Sequence, residues 1–97
     1  MTCAAVTHLT LSPPFTELDA ATVADFSAWG RQWSATAAVL VNLDFSAVEY
    51  LGAGAISVLL EMDHTLSARG VRLRIINAQR IVIRILTICD LHTRWLE

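Results

Sequence analysis

The 97 residues contain no lysine; all seven basic side chains are arginine. No apolar run approaches the ~18 residues a membrane-crossing helix needs, so no direct membrane insertion is expected. The start, MTCAAVTHL, has neither a basic segment nor a long apolar stretch, which speaks against a secretory signal and makes the cytoplasm the expected location. The two cysteines, Cys3 and Cys89, form no CxxC pair. His8, His64 and His92 are scattered without ligand spacing, so no metal site is expected. Cys89 lies in an apolar run and should pack as a small buried hydrophobe, slow to alkylate, with Cys3 the faster thiol. A redox role at Cys89 would require an exposed, acidified thiol instead. There is no GxSxG, no P-loop and no GxGxxG; Gly52-Ala53-Gly54 is a bare GxG. Asp44 and Glu49 are two carboxylates five residues apart in a loop, too little for acid–base chemistry. No enzyme and no cofactor are expected from this inventory.

What is present is a chain with 55% apolar residues, enough to build one core, and a length that suits a single domain over residues 1–97. Charge is split along it. Before Arg69, seven acids (Glu17, Asp19, Asp25, Asp44, Glu49, Glu61 and Asp63) face Arg31 alone, a balance of −6. From Arg69 on, six arginines face Asp90 and Glu97, a balance of +4. Nucleic acid is not an expected partner: the net charge is −2, the arginines are dispersed, and no aromatic platform accompanies them.

In chain order, Val6 to Leu11 alternates as a short strand, which Ser12-Pro13-Pro14 ends. Thr16 to Asp19 resembles a capping box and predicts a helix from about Asp19 to Trp33. Its stripe is Ala21 or Thr22, Phe26, Trp29 and Trp33, with the tryptophans covering a sheet or, alternatively, meeting a partner. Val39 to Leu43 reads as a central strand covered on both faces. A polar turn follows, then Val48, Tyr50 and Leu51, then Gly52-Ala53-Gly54 opening a helix that runs to about Arg69. Ala55, Ile56, Leu59, Leu60, Met62 and Leu66 form its core stripe. Gly54, Ser57, Glu61, His64 and Thr65 fall on its other face. Gly70 is a good stop for it. Val71 to Ile76 alternates as a half-buried strand. Asn77-Ala78 turns into a helix from about Gln79 to Ile88, with Ile81, Val82, Ile85 and Leu86 inward. His92 to Leu96 forms a last turn that folds Trp95 onto the core. The β-α-β-α-β-α order predicts an α/β fold, a mostly parallel sheet layered against helices. Ligands and partners of such sheets approach the carboxyl ends of the strands, here the Asp44–Gly54 stretch, where a strand-to-helix bend also presents backbone N–H groups.

The run from Asn42 to Ile56, NLDFSAVEYLGAGAI, resembles the STAS domain, the fold of bacterial anti-sigma-factor antagonists. Asp44 matches that family's strand-end Asp, and the spacing to Gly52 fits without a gap. Arg69-Gly70-Val71 is similar to the turn before the next strand, Asn77 to the Asn that follows it, and Arg84 to Leu91 to the last main helix, with Asp90 where Gly is usual. The likeness covers about Leu9 to Leu96. Against the family's Asp-Ser-Ser-Gly, this chain has Gly52, Ala53, Gly54 and Ala55, so Gly54 stands at the usual phosphorylated serine and no phosphorylation is expected there. Ser57, one turn on, is the nearest hydroxyl. Met1–Ala5 is a short tail or a remnant of the first family strand, which would leave a sheet edge open to a partner or a second copy.

The resemblance implies a non-catalytic protein-interaction module, an antagonist-like regulator of transcription whose partner is a kinase-like anti-sigma factor. The alternative it implies is a STAS subunit of an ABC lipid-transport complex. The implied partner-binding residues are Asp44, Ser46, Gly52, Ala53, Gly54, Ser57 and Glu61. The glycines would let a partner's backbone approach, with the Gly54 Cα facing solvent; the plainer reading is that they only make a tight bend.

Overall fold

The computed structural model describes residues 8–33 and 38–96. Its elements are β1 (His8–Leu11), β2 (Glu17–Leu18), α1 (Val23–Trp33), β3 (Leu40–Asp44), β4 (Tyr50–Leu51), α2 (Ala53–Ser67), β5 (Arg72–Ile76), α3 (Arg80–Ile88) and α4 (His92–Trp95). The main sheet has the order β1-β3-β5 and is parallel throughout. A second, two-residue ladder pairs β2 with β4, also parallel. The α/β, mostly parallel architecture is the one expected from the pattern. Val6, Thr7, Met1–Ala5 and Cys3 lie outside the described residues.

Strand alternation sorts the sheet's two faces. Val41, Leu43, Leu73 and Ile75 are buried, and Leu9 and Leu11 pack against them from β1. The opposite face carries, in matched rows, His8, Leu40 and Arg72, then Thr10, Asn42 and Arg74. These are exposed or half-buried. The expectation that β3 is covered on both faces is therefore corrected: the helices leave that side of β3 only partly shielded. The strand also starts at Leu40, and Val39 ahead of it is 54% exposed.

The helix expected from Asp19 begins at Val23 instead. Glu17 and Leu18 are taken by the pairing with Tyr50 and Leu51. Local side-chain bonds hold the next residues in a turn: the Ala21 N–H donates to Asp19 Oδ1 (3.0 Å), and Thr22 Oγ1 accepts from the Asp19 N–H (3.0 Å) and donates to the Glu17 carbonyl (2.8 Å). Such bonds compete with helix formation. Within α1, Phe26 is fully buried, with Phe15 edge-on and Trp29 stacked on it; Trp33 meets Trp29 edge-on. Both tryptophans pack on the core.

Ala55, Leu59, Met62 and Leu66 line the buried side of α2 as predicted, joined by Val58 and by Asp63. Gly30 of α1 is what brings α1 close: a Cβ there would sit 2.2 Å from Met62 Cε. On α3 the buried residues are Val82 and Leu86, with Ile85 half-buried. Ile81, expected inward, is 43% exposed, because it lies beyond the arc of this helix that meets the core. Trp95 folds back as expected and is 1% exposed. Cys89 does not pack inside; it is a free, exposed thiol just past the last turn of α3, where Leu86 and Leu91 take the core contact.

Candidate functional site

The carboxyl end of β3 is tied down by its own residues. The Ser46 N–H donates to Asp44 Oδ1 at 2.9 Å, an Asx turn that reverses the chain after the strand. The Ser46 backbone N–H and then the Ser46 hydroxyl hold the Asp44 carboxyl below its ordinary value of 3.8; burial opposes them less strongly, and the Asn77 side chain adds a still smaller lowering. A depressed folded-state pKa adds stability above the unfolded value, and that stability is lost as pH falls through the folded one. Asp44 therefore acts on the loop's shape. Gln79, at the start of α3, closes the turn from the other side: its Nε2 donates to the Ser46 carbonyl at 2.7 Å. Phe45, between the two polar residues, is fully buried, and so is Val48. Phe45 is thus an apolar peg inside the stretch expected as a polar turn, and Val48, expected as apolar, is a second peg just after it.

Beyond the turn, the loop is stitched to the segment before α1. The Glu49 N–H donates to the Thr16 carbonyl, and the Gly52 N–H to the Leu18 carbonyl (2.8 Å). Gly52 then caps α2 with extended backbone and no side-chain bond to the helix N–H groups. A Cβ on Gly52 would lie 3.2 Å from the Leu18 carbonyl oxygen. The backbone that comes close at Gly52 is the chain's own, which supports the tight-bend reading of this glycine. Gly54, in the first turn of α2, is exposed, but a Cβ there would point at Val23 Cγ2, 3.2 Å away. A side chain at position 54 would leave α2 along the start of α1, so the expectation of a Gly54 position open to solvent is narrowed to that flank.

Ala53, Ser57 and Glu61 continue along α2 as exposed positions. The Ser57 hydroxyl donates back to the Ala53 carbonyl (3.3 Å), so it is engaged within the helix. Glu61 lines a hollow of about 290 Å³ between α1 and α2, together with Ser27, Gly30, Arg31, Val58, Met62 and Thr65. The structure thus gathers Asp44 and Ser46 into one turn and sets Gly52, Ala53, Gly54, Ser57 and Glu61 along one helix. Sequence reasoning missed Gln79 as part of this turn; the signal was only that a polar residue follows Asn77 at the carboxyl end of the neighbouring strand.

No group of three or more His, Cys, Asp or Glu that could hold a metal occurs among the described residues. No described helix is long and apolar enough to cross a membrane. What the site offers is a surface of small exposed residues on α2, bordered by the Asp44 and Glu61 carboxylates, beside a hydrogen-bonded turn, which suits protein contact. Among protein families, the STAS domain matches residues 7–94. No curated protein matches the chain significantly.

Proposed function

The chain belongs to the STAS family, whose members are in general non-catalytic interaction or regulatory modules, and from that premise we propose that it is an anti-sigma-factor antagonist-like regulator that works without a phosphorylatable serine. Its partner is a kinase-like anti-sigma factor, engaged through the Asp44–Ser46 turn and the Gly52 to Glu61 side of α2. The observation that supports this most directly is the exposed first turn of α2, where small side chains leave room for a partner surface and Gly54 brings no hydroxyl. In relatives with serine there, phosphate would add roughly −2 charge at a helix N-terminus and alter partner affinity. This chain keeps the surface and lacks that switch.

The missing hydroxyl also favours a second reading. A STAS subunit of an ABC lipid-transport complex, clamped on a nucleotide-binding subunit, has no need of a phosphorylation cycle at this helix.

The test takes the protein and a kinase-like anti-sigma factor from the same host, with ATP. Expected are complex formation and no stoichiometric phosphate within residues 50–60 by mass spectrometry. Phosphate at Ser57 would overturn the switch-free reading. Failure to bind, with capture of a transport ATPase from the same host instead, would move the assignment to the second reading.

A further inference from the structure

Three of the large apolar side chains that remain exposed, Tyr50 (47%), Ile81 (43%) and Ile88 (77%), stand on two elements that pack against each other, β4 and α3. The outward side of α3 is otherwise basic. Arg80 and Arg84 share a hollow with Ile81, and α3 carries no carboxylate. Neither arginine has an ion-pair partner among the described residues. Next to this ridge the small ladder is acidic: Glu17 lies opposite Tyr50 in register, Glu49 precedes it, and both glutamates are exposed. Because α3 and β4 pack against each other, a positive strip on α3 lies beside a negative one on β2 and β4, with exposed Ile81 on the first and exposed Tyr50 on the second.

We propose that this face binds a second copy of the chain as a two-fold dimer. A two-fold contact uses the same patch twice, so a patch with adjacent positive and negative halves is complementary to itself. The charges also choose where the axis runs. An axis through the middle of α3 would set Arg84 against its own mate, and like charges meeting this way oppose association. An axis between α3 and β4 lays α3 of each copy over β2 and β4 of the other. Tyr50 and Ile81 then meet near the centre, and Arg80 and Arg84 face Glu17 and Glu49 twice around the rim, the usual anatomy of apolar core and polar border. One short helix and a two-strand ladder fall below the ~800 Å² per partner of a standard interface, so the dimer is weak and salt-sensitive. The inference does not rest on the anti-sigma reading, although its surface adjoins that one: the Tyr50 ring lies 3.5 Å from where a Cβ on Gly52 would sit.

Sedimentation equilibrium across a concentration series tests it. The wild-type protein should dimerise reversibly, more tightly at low than at high salt. Arg80→Glu/Arg84→Glu should weaken the dimer by at least about tenfold while melting like the wild type, since all four reversed positions in this scheme are exposed and an acid at position 80 suits the start of a helix. Adding Glu17→Arg/Glu49→Arg to that variant should restore dimerisation, because the halves are exchanged and still match. A protein that stays monomeric at about 1 mM, a range where even weak contacts form, overturns the proposal. So does a dimer that ignores the Arg80→Glu/Arg84→Glu change, which would point to the β1 edge, or a four-fold reversal that fails to recover association.

Discussion

Two helices of this protein end in the same way with different residues. After α2, the Gly70 N–H donates to the Ser67 carbonyl and the Val71 N–H to the Leu66 carbonyl; after α3, the Asp90 N–H donates to Thr87 and the Leu91 N–H to Leu86. Both are Schellman closures, and both need a left-handed residue, Gly70 at φ 76° and Asp90 at φ 60°. Glycine takes that conformation freely, whereas an L-side chain is strained there, least so for Asn and Asp. Asp90 in addition puts a negative charge at the negative end of a helix. Asp90→Gly should therefore raise stability by about 0.5–1 kcal/mol, read as a higher urea midpoint with unchanged slope. Gly70→Ala, where a Cβ meets nothing within 4 Å, should lower it by about 1 kcal/mol through backbone strain alone. A neutral result at both positions would mean that these turns relax when substituted. The same logic explains Asn77, the third left-handed position among the described non-glycine residues or glycines, at φ 56°, whose side chain also reaches Asp44.

Between elements, a buried polar tie joins α2 to α4. Asp63 is 8% exposed and receives Arg94 Nε (2.6 Å) and Trp95 Nε1 (3.1 Å) on one oxygen and the Ser67 hydroxyl (3.2 Å) on the other. Arg94 is half in water, so its charge adds little after screening. The larger cost of losing Asp63 is the buried Trp95 N–H left without an acceptor. Asp63→Ala should destabilise by about 1–3 kcal/mol and loosen α4, while Asp63→Asn, which keeps an acceptor, should cost less. Thermal melts with tryptophan fluorescence would separate the two; equal losses would show that the charge, and not the acceptor, matters. This tie shows what the chain's letters convey and what they withhold. Apolar spacing announced α2, α3 and the inward Trp95, because periodicity is a property of one segment. Asp63 reads in sequence as one more acid, since Arg94 and Trp95, two of its three partners, lie 31 and 32 residues away. Likewise the β2–β4 ladder has two residues per strand, too few to make a pattern, and its presence moved the start of α1 from Asp19 to Val23. At the candidate site, the spacing from Asp44 to Gly52 located the loop, but the neighbour of Gly52 turned out to be Leu18, a contact no local pattern encodes.

At the scale of the whole molecule, the main sheet has an unusual regularity: His8 faces Leu40 and Leu40 faces Arg72, an offset of 32 residues in both pairings. The chain entropy lost in closing a loop depends on its length, so the two crossovers cost nearly the same to form. Chain length cannot then decide which assembles first; side chains must. The crossover through α2 buries Ala55, Val58, Leu59, Met62 and Leu66 and packs that helix on β5, whereas α1 buries Phe26 and Gly30. The half from Leu40 to Ile76 should therefore form the folding nucleus, with β1 and α1 docking afterwards. Trimming Leu59 or Leu73 to Ala should slow refolding, with φ-values near ~0.5–0.8, while Phe26→Leu should mainly speed unfolding. The reverse ranking would place the nucleus in the first crossover. Two pairings equal in length and unequal in side chains turn the sheet into a kinetic contest between halves, one whose winner a few core substitutions could change without altering the final fold.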